Sequence, residues 1–205
     1  MSPNTSSLVE CVPNFSEGRD RSVIDRIIAA IGSVEAVRVL HSDAGDSANR
    51  TVVTFVGEPA QVEEAAYRGI EMAADAIDMQ KHSGTHPRIG STDVCPFVPI
   101  GTTSIDDCIA IAERVGERVG RELSIPVYLY AEAARHEARR SLPAIRRGEY
   151  EGLEGKMATP EFAPDYGPAS FNARSGATAI GARRFLIAWN VNLNTKDVGI
   201  AREIA

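Results

Sequence analysis

Cysteine, aromatic residues and long apolar runs are all scarce in this chain, and so is any excess of positive charge. Three cysteines among 205 residues, an odd number set in apolar contexts at Cys11, Cys95 and Cys108, cannot make a disulfide framework, so buried free thiols in a reducing compartment are expected. Lys and Arg total 22 against 28 Asp and Glu, a net charge of −6, which argues against nucleic acid or an anionic membrane surface as partner. That balance leaves room for anionic small molecules, because a few arginines can reverse the field locally. No window approaches the roughly 18 apolar residues of a membrane span, and Met1-Ser2-Pro3-Asn4-Thr5-Ser6-Ser7 has neither a basic nor an apolar leader segment. The expectation is a cytoplasmic globular protein. A hydrophobic content of 43% is ordinary for a folded chain, and the length suffices for one large domain or two small ones with a full core.

Periodicity supplies the elements. A strand over residues 8–12 ends at Pro13 and feeds a polar turn over 14–19. Val23, Ile24, Ile27, Ile28 and Ile31 then recur at helical spacing up to Gly32. Strands are expected over 34–41 and 51–56, separated by a polar loop over 42–49. Pro59 opens a second helix whose stripe is Val62, Ala65, Ala66, Gly69, Ile70, Ala73 and Ile77. The strand over 94–100 carries Pro96 and Pro99, which suits an edge or a bulge. Ser104 and Asp107 form a variant capping box for a third helix, in which Gly116 and Gly120 suggest close helix–sheet contact. A strand over 127–130, a short Ala/Arg helix to about Arg140 and another from about Ser141 follow. Residues 149–176 read as irregular, and 185–192 as the last strand, with Asn190 and Asn192 on an uncovered face. The order is that of an α+β, ferredoxin-like protein, a mixed sheet with helices packed on one face.

The chemistry concentrates at Lys81-His82-Ser83-Gly84-Thr85-His86-Pro87-Arg88. Two of four histidines stand four residues apart here, but Gly84 and Pro87 make this a loop rather than one face of a helix. A fixed imidazole in such a loop can accept and return a proton. Rival readings are a zinc site completed by His41, Asp43 or Asp93, without a recognised spacing, and a calcium loop at Asp43, Asp46 and Asn49, also off-pattern. A Cys95–His86 nucleophilic pair competes with simple burial of Cys95. The stretch Gly167-Pro168-Ala169-Ser170-Phe171-Asn172-Ala173-Arg174-Ser175-Gly176 lacks a phosphate-loop lysine, yet would let backbone amides and Arg174 approach a flat anion.

Several blocks together resemble the glutamate formiminotransferase family: residues 9–18, the Asn49-Arg50-Thr51 step, His86-Pro87-Arg88, Asp93-Val94-Cys95-Pro96-Phe97, residues 127–130 and 163–168, and Gly176-Ala177-Thr178. They stand in the family's order over about residues 8 to 193, matching its N-terminal formiminotransferase subdomain. The resemblance implies transfer of a formimino group from N-formimino-L-glutamate to tetrahydrofolate, a co-substrate, in one-carbon and histidine metabolism, with no metal or redox cofactor. It implies His86 as general acid/base, with a pKa near 7, and residues 167–176 as the folate-binding segment. Asp43 and Arg88 are supporting residues, with Arg50, Arg88 or Arg174 to pair substrate carboxylates. Family members add a second subdomain, so residues 1–193 are read as the N-terminal subdomain and 194–205 as the start of a linker or helix. A homo-oligomer or a complementary second subdomain is the implied partner. The alternative is a folate-binding or assembly module without turnover of its own.

Overall fold

The computed structural model describes residues 7–187, 193–195 and 197–204. Strands β1 (Ser7–Cys11) and β2 (Asn14–Phe15) are two pieces of one line of chain, interrupted at Pro13. Both lie between β4 (Arg50–Gly57) and β5 (Thr92–Gly101), antiparallel to each. Pairing persists through the interruption: Val12 N–H donates to the Pro96 carbonyl at 3.3 Å and Val53 N–H to the Pro13 carbonyl at 3.1 Å. β3 (Arg38–Gly45) pairs with the outer side of β4. Beyond β5 the sheet continues in parallel through β7 (Thr178–Ala182) to β6 (Val127–Ala131). The sheet therefore reads β3, β4, β1/β2, β5, β7, β6, antiparallel at one end and parallel at the other. The antiparallel part follows the expected β-α-β-β-α-β plan.

Three long helices form one layer, as expected. Asp20 caps α1 (Arg21–Gly32) by accepting from Ser22 and Val23 N–H, satisfying donors that the first turn leaves free. Pro59 starts α2 (Pro59–Ala76), where its missing N–H costs nothing. The reciprocal Ser104–Asp107 capping box is present at α3 (Ile105–Glu122). Their apolar stripes meet alternate strand residues: Ile27, Ile31, Ile70, Ile111 and Val115 close over Phe15, Phe55, Phe97 and Leu129 in one core. Truncating a buried phenylalanine such as Phe97 to alanine is expected to cost about 3–5 kcal/mol.

Over β6 and β7 the opposite face carries a second, smaller layer. Here α4 (Leu142–Arg146) and α5 (Glu149–Met157) place Ile145, Leu153 and Met157 against Val94, Tyr128, Tyr130 and Ala179. A last helix, α6 (Val198–Ile204), leaves Val198, Ile200 and Ile204 exposed.

Several expectations need correction. β3 runs on through Gly45 because its ladder with β4 continues to Arg50, so the polar loop over 42–49 shrinks to a turn. β5 is a central strand and not an edge, while its ladder with β2 does shift register between Asn14 and Phe15, so the bulge half of the expectation holds. Pro96 sits where β1 gives way to β2, and the β7 ladder stops at Phe97, so among the described residues Pro99 has no ladder partner on that side. The Ala/Arg helix is a single 3-10 turn at Glu137–Arg139. Residues 149–176 are not all irregular, since α5 occupies their first third. The strand after them is β7, at Thr178–Ala182. Phe185 to Ile187 are exposed and outside any strand, and the rest of the expected 185–192 strand, with Asn190 and Asn192, lies outside the described residues.

Candidate active site

The ends of the sheet where β4 and β5 begin hold the histidine loop in place. Gly84 lies so close to the turn between β3 and β4 that a Cβ on it would sit 2.3 Å from the Ala48 carbonyl oxygen. Asn49, in the left-handed region at φ 47°, which asparagine tolerates, links three segments. Its Oδ1 accepts from Gly18 N–H at 2.9 Å and its Nδ2 donates to the Ser83 carbonyl at 2.9 Å. Thr85 N–H donates to the Ser47 carbonyl at 3.1 Å. The loop is thus a rigid platform despite its glycine.

His82 is committed on both sides. Its Nε2 lies 2.9 Å from the Asn49 carbonyl, and its Nδ1 accepts from Arg88 Nε at 3.2 Å. Those partners assign the neutral tautomer with the proton on Nε2, and burial shifts its pKa down. Arg88 is buried, and α5 satisfies its fork: Nη1 donates to Glu149 at 2.9 Å and to Glu151 at 2.8 Å, and Nη2 donates to Glu151 at 2.5 Å. Two successive left-handed residues, Gly148 at φ 87° and Glu149 at φ 54°, turn the chain so that both carboxylates reach it. A cavity of about 420 Å³ opens between His82, Ser83 and Gly84 on one wall and Gly148, Glu149 and Glu151 on the other.

His86 is held differently. Its Nε2 lies 2.6 Å from Arg50 Nη1, and because a guanidinium only donates, Nε2 must be the acceptor and Nδ1 must carry the proton. Nδ1 is buried without a hydrogen bond of normal geometry, although the adjacent Pro87 carbonyl helps hold a proton on the ring. Burial, then the charges of Arg50 and Arg146, push its pKa down to about 4. The expectation of a value near 7 is therefore corrected for this state of the protein. Arg50 itself is half-buried, and burial lowers its own pKa. It touches the His86 ring rather than a carboxylate, with Asp93 and Asp43 acting on it only at longer range. Asp93 is fully buried at the start of β5. It accepts from Ile89 N–H at 3.1 Å and from both Arg146 Nε, at 3.3 Å, and Arg146 Nη2. The cleft between Ser16, Asn49, Arg50, His82, His86 and Asp93 holds about 160 Å³ of empty space but no water-sized void.

The glycine-bounded segment from 167 to 176 is braced from several sides. A Cβ on Gly120 would meet Gly167 N at 2.5 Å, so α3 approaches this turn rather than the sheet alone. Phe171 packs on Tyr150 with ring centroids 5.5 Å apart, and Tyr150 Oη donates to the Ala173 carbonyl at 2.5 Å. Arg174 is exposed and donates to the Asp75 carbonyl at 2.5 Å. Ser91 N–H donates to the Ser175 carbonyl, and Ala177 N–H to that of Ile89, at 2.9 and 3.0 Å. Gly176, at φ +65°, leaves only 2.1 Å between its Cβ position and the Ile89 carbonyl. The segment therefore rests on the base of the histidine loop, and none of these contacts reaches the His86 ring. Asp43 lies in β3 opposite Val52, exposed, with its charge near Arg50. Pro168, Ala169 and Ser170 bend at the outer side of the segment, and the turn follows over 173–175, closed by Asn172 Oδ1, which accepts from Ser175 N–H at 3.0 Å.

Cys95 is fully buried 3.5 Å from the Cys11 sulfur, so its neighbour is a thiol and not His86. His82 and His86 are tied to different partners, and among the described residues no three His, Cys, Asp or Glu side chains form a metal-binding group. Nor is any helix among them long and apolar enough to cross a membrane. Sequence reasoning missed Arg146, Glu149 and Glu151, whose only signal was a dense charge cluster around Gly148.

Comparison with known proteins adds a family to this geometry. Residues 8–183 match the family model described as the formiminotransferase domain, N-terminal subdomain. Formimidoyltransferase-cyclodeaminase of Rattus norvegicus is 53% identical over 193 residues, which are 94% of this chain and 36% of that protein. Glutamate formimidoyltransferase of Thermoplasma acidophilum is 50% identical over 97% of this chain and 66% of its own length. That of Streptococcus pyogenes serotype M1 is 44% identical over 98% and 67%. The chain thus spans about a third of the longer relatives and about two thirds of the shorter ones. On a match of this extent, the chain belongs to the formiminotransferase family, to which it contributes the N-terminal subdomain.

Proposed function

We propose that this chain takes part in a glutamate formimidoyltransferase reaction, moving the formimino group of N-formimino-L-glutamate to tetrahydrofolate, with His86 as general acid/base. The observation that carries the reading is the pair of His86 and Arg50. A neutral imidazole touches a cation that pairs directly with no carboxylate among the described residues, at the edge of the platform that Asn49 ties together. Relatives named as glutamate formimidoyltransferases at 44% and 50% identity support it. In the reaction the folate amine attacks the formimino carbon and forms a tetrahedral intermediate. His86 takes the proton released by the attacking amine and returns it to the glutamate nitrogen as that bond breaks, so one ring serves both steps. A ring whose pKa lies near 4 is neutral at physiological pH, the form a general base needs, and its accepting nitrogen is held by Arg50 in this state. Once protonated, it is a strong enough acid to drive the leaving nitrogen out. Residues 167–176 are proposed to contact folate. Asp43 supports Arg50, and Arg88 holds His82 and the wall of the larger cavity.

Residues 1–193 are proposed as the N-terminal subdomain of a cytoplasmic enzyme, with 194–205 leading toward a second subdomain or a partner copy that completes the folate site. The exposed apolar residues Phe185, Leu186 and Ile187 and those of α6 favour such a covering partner. The same surface favours the alternative, a folate-binding or assembly module without turnover of its own. The test is formimino transfer to tetrahydrofolate by the chain, alone and joined to the remaining part of the enzyme. Tetrahydrofolate binding without transfer in either form would select the alternative.

A further inference from the structure

We propose that Arg50 is a latch on His86: its guanidinium occupies Nε2 in the free protein, and a carboxylate of the substrate frees the ring by taking that guanidinium. The inference rests on the formimidoyltransferase reading and names the substrate group that readies its acid–base residue. Its basis is the contrast among the arginines of this region. Arg88 is saturated by Glu149 and Glu151, Arg146 by Asp93, and Arg139 by Asp165 at 2.9 Å. Arg50 donates at 2.6 Å to a ring nitrogen, a neutral acceptor weaker than any carboxylate, which can take a guanidinium bidentately. While Arg50 stays there, the lone pair that must receive the amine proton is occupied.

The surroundings favour an anion. The charges acting on the ring are those of Arg50 from β4 and Arg146 from α4, while Asp93 from β5 and the exposed Asp43 from β3 act on Arg50. On the histidine's own loop, Arg88 is matched by its two glutamates and His82 is neutral. Asp93 is hydrogen-bonded by Arg146 and reaches Arg50, like Asp43, only at longer range, so Arg50 pairs directly with no carboxylate among the described residues, and a bound carboxylate would offset its share of the field on His86. Arg50 thus binds the substrate carboxylate and, by doing so, releases the ring for the proton transfer.

The test is NMR titration of histidine-15N-labelled protein with and without glutarate, a dicarboxylate probe, with His86→Gln used to assign the resonance. Glutarate is expected to raise the His86 midpoint from near 4 toward the ordinary 6.5, while that of His82 stays put. Arg50→Gln, with Arg50→Lys as a second variant should the first not fold, is expected to start higher or to lose the response to glutarate. An ordinary midpoint in the free protein would overturn the latch. So would a midpoint that tens of millimolar glutarate leaves unmoved, or an equal response in both Arg50 variants. The readout needs no turnover: a shift without formimino transfer rejects the transferase reading alone, and transfer without a shift rejects the latch alone.

Discussion

His82 and His86 stand four residues apart on one loop, yet the protein treats them in opposite ways. Both nitrogens of His82 are hydrogen-bonded, and the arginine behind it is neutralised by two carboxylates. His86 has one partner, a cation, and a buried nitrogen with no normal hydrogen bond. A buried polar group that finds all its partners adds rigidity, whereas one left short costs stability and is kept where a ligand completes it. The difference separates scaffold from chemistry more sharply than residue type does, since each histidine has an arginine at its side.

The sharpest way to break this contrast is to remove each ring in turn. His86→Ala is expected to lower formimino transfer by about two to four orders of magnitude, the usual size of a lost acid–base group, with the thermal midpoint little changed. Next in size is Arg88→Ala, which strands Glu149 and Glu151. Because both carboxylates are partly exposed, the cost is set at roughly 2 kcal/mol in urea unfolding, below that of a fully buried pair. His82→Ala should remove about 1 kcal/mol of stability through its lost hydrogen bonds and reduce turnover by less than about tenfold, a modest misplacement of the loop. Equal catalytic losses from the two histidine variants would erase the distinction.

A smaller effect concerns pH. The His86 pKa in the fold is about 4, below the ordinary 6.5, so the unfolded chain binds its proton first as pH falls. The contribution of this ring to stability is therefore complete above about pH 6.5 and is lost progressively down to about pH 4. His86→Ala should flatten that part of the stability profile, and an unchanged slope would show that the ring titrates normally in the folded chain.

Much of the scaffold was legible because local signals agreed with the packing. The stripe from Val62 to Ala73, the Ser104–Asp107 box and the strand over 51–56 all became what the sequence implied. The failures share a cause in long-range structure. Thr178–Ala182 is short and three of its five residues are Ala or Gly, so its strand signal is weak, and it becomes a strand because β5 and β6 flank it. In α5, Gly152 and Gly155 dilute the helical pattern, and its place is set by Leu153 and Met157 reaching the second core. Pro96 and Pro99 suggested an edge as readily as the bulge that the β2–β5 register shift supplies, and only the assembled sheet separates the two. At the site, His86 and Arg88 announced themselves through loop composition. Arg146, Glu149 and Glu151 arrive from about sixty residues away, a distance across which spacing carries no information.

The interrupted β1/β2 line also sets a timetable for synthesis. Its two flanking strands are β4 and β5, and β5 ends only at Gly101. A nascent chain cut off before Thr92 would carry its first strand with one side bare, and pairings this remote in sequence form slowly. Until β5 has been made, the bare side of β1 is a template for unwanted neighbours.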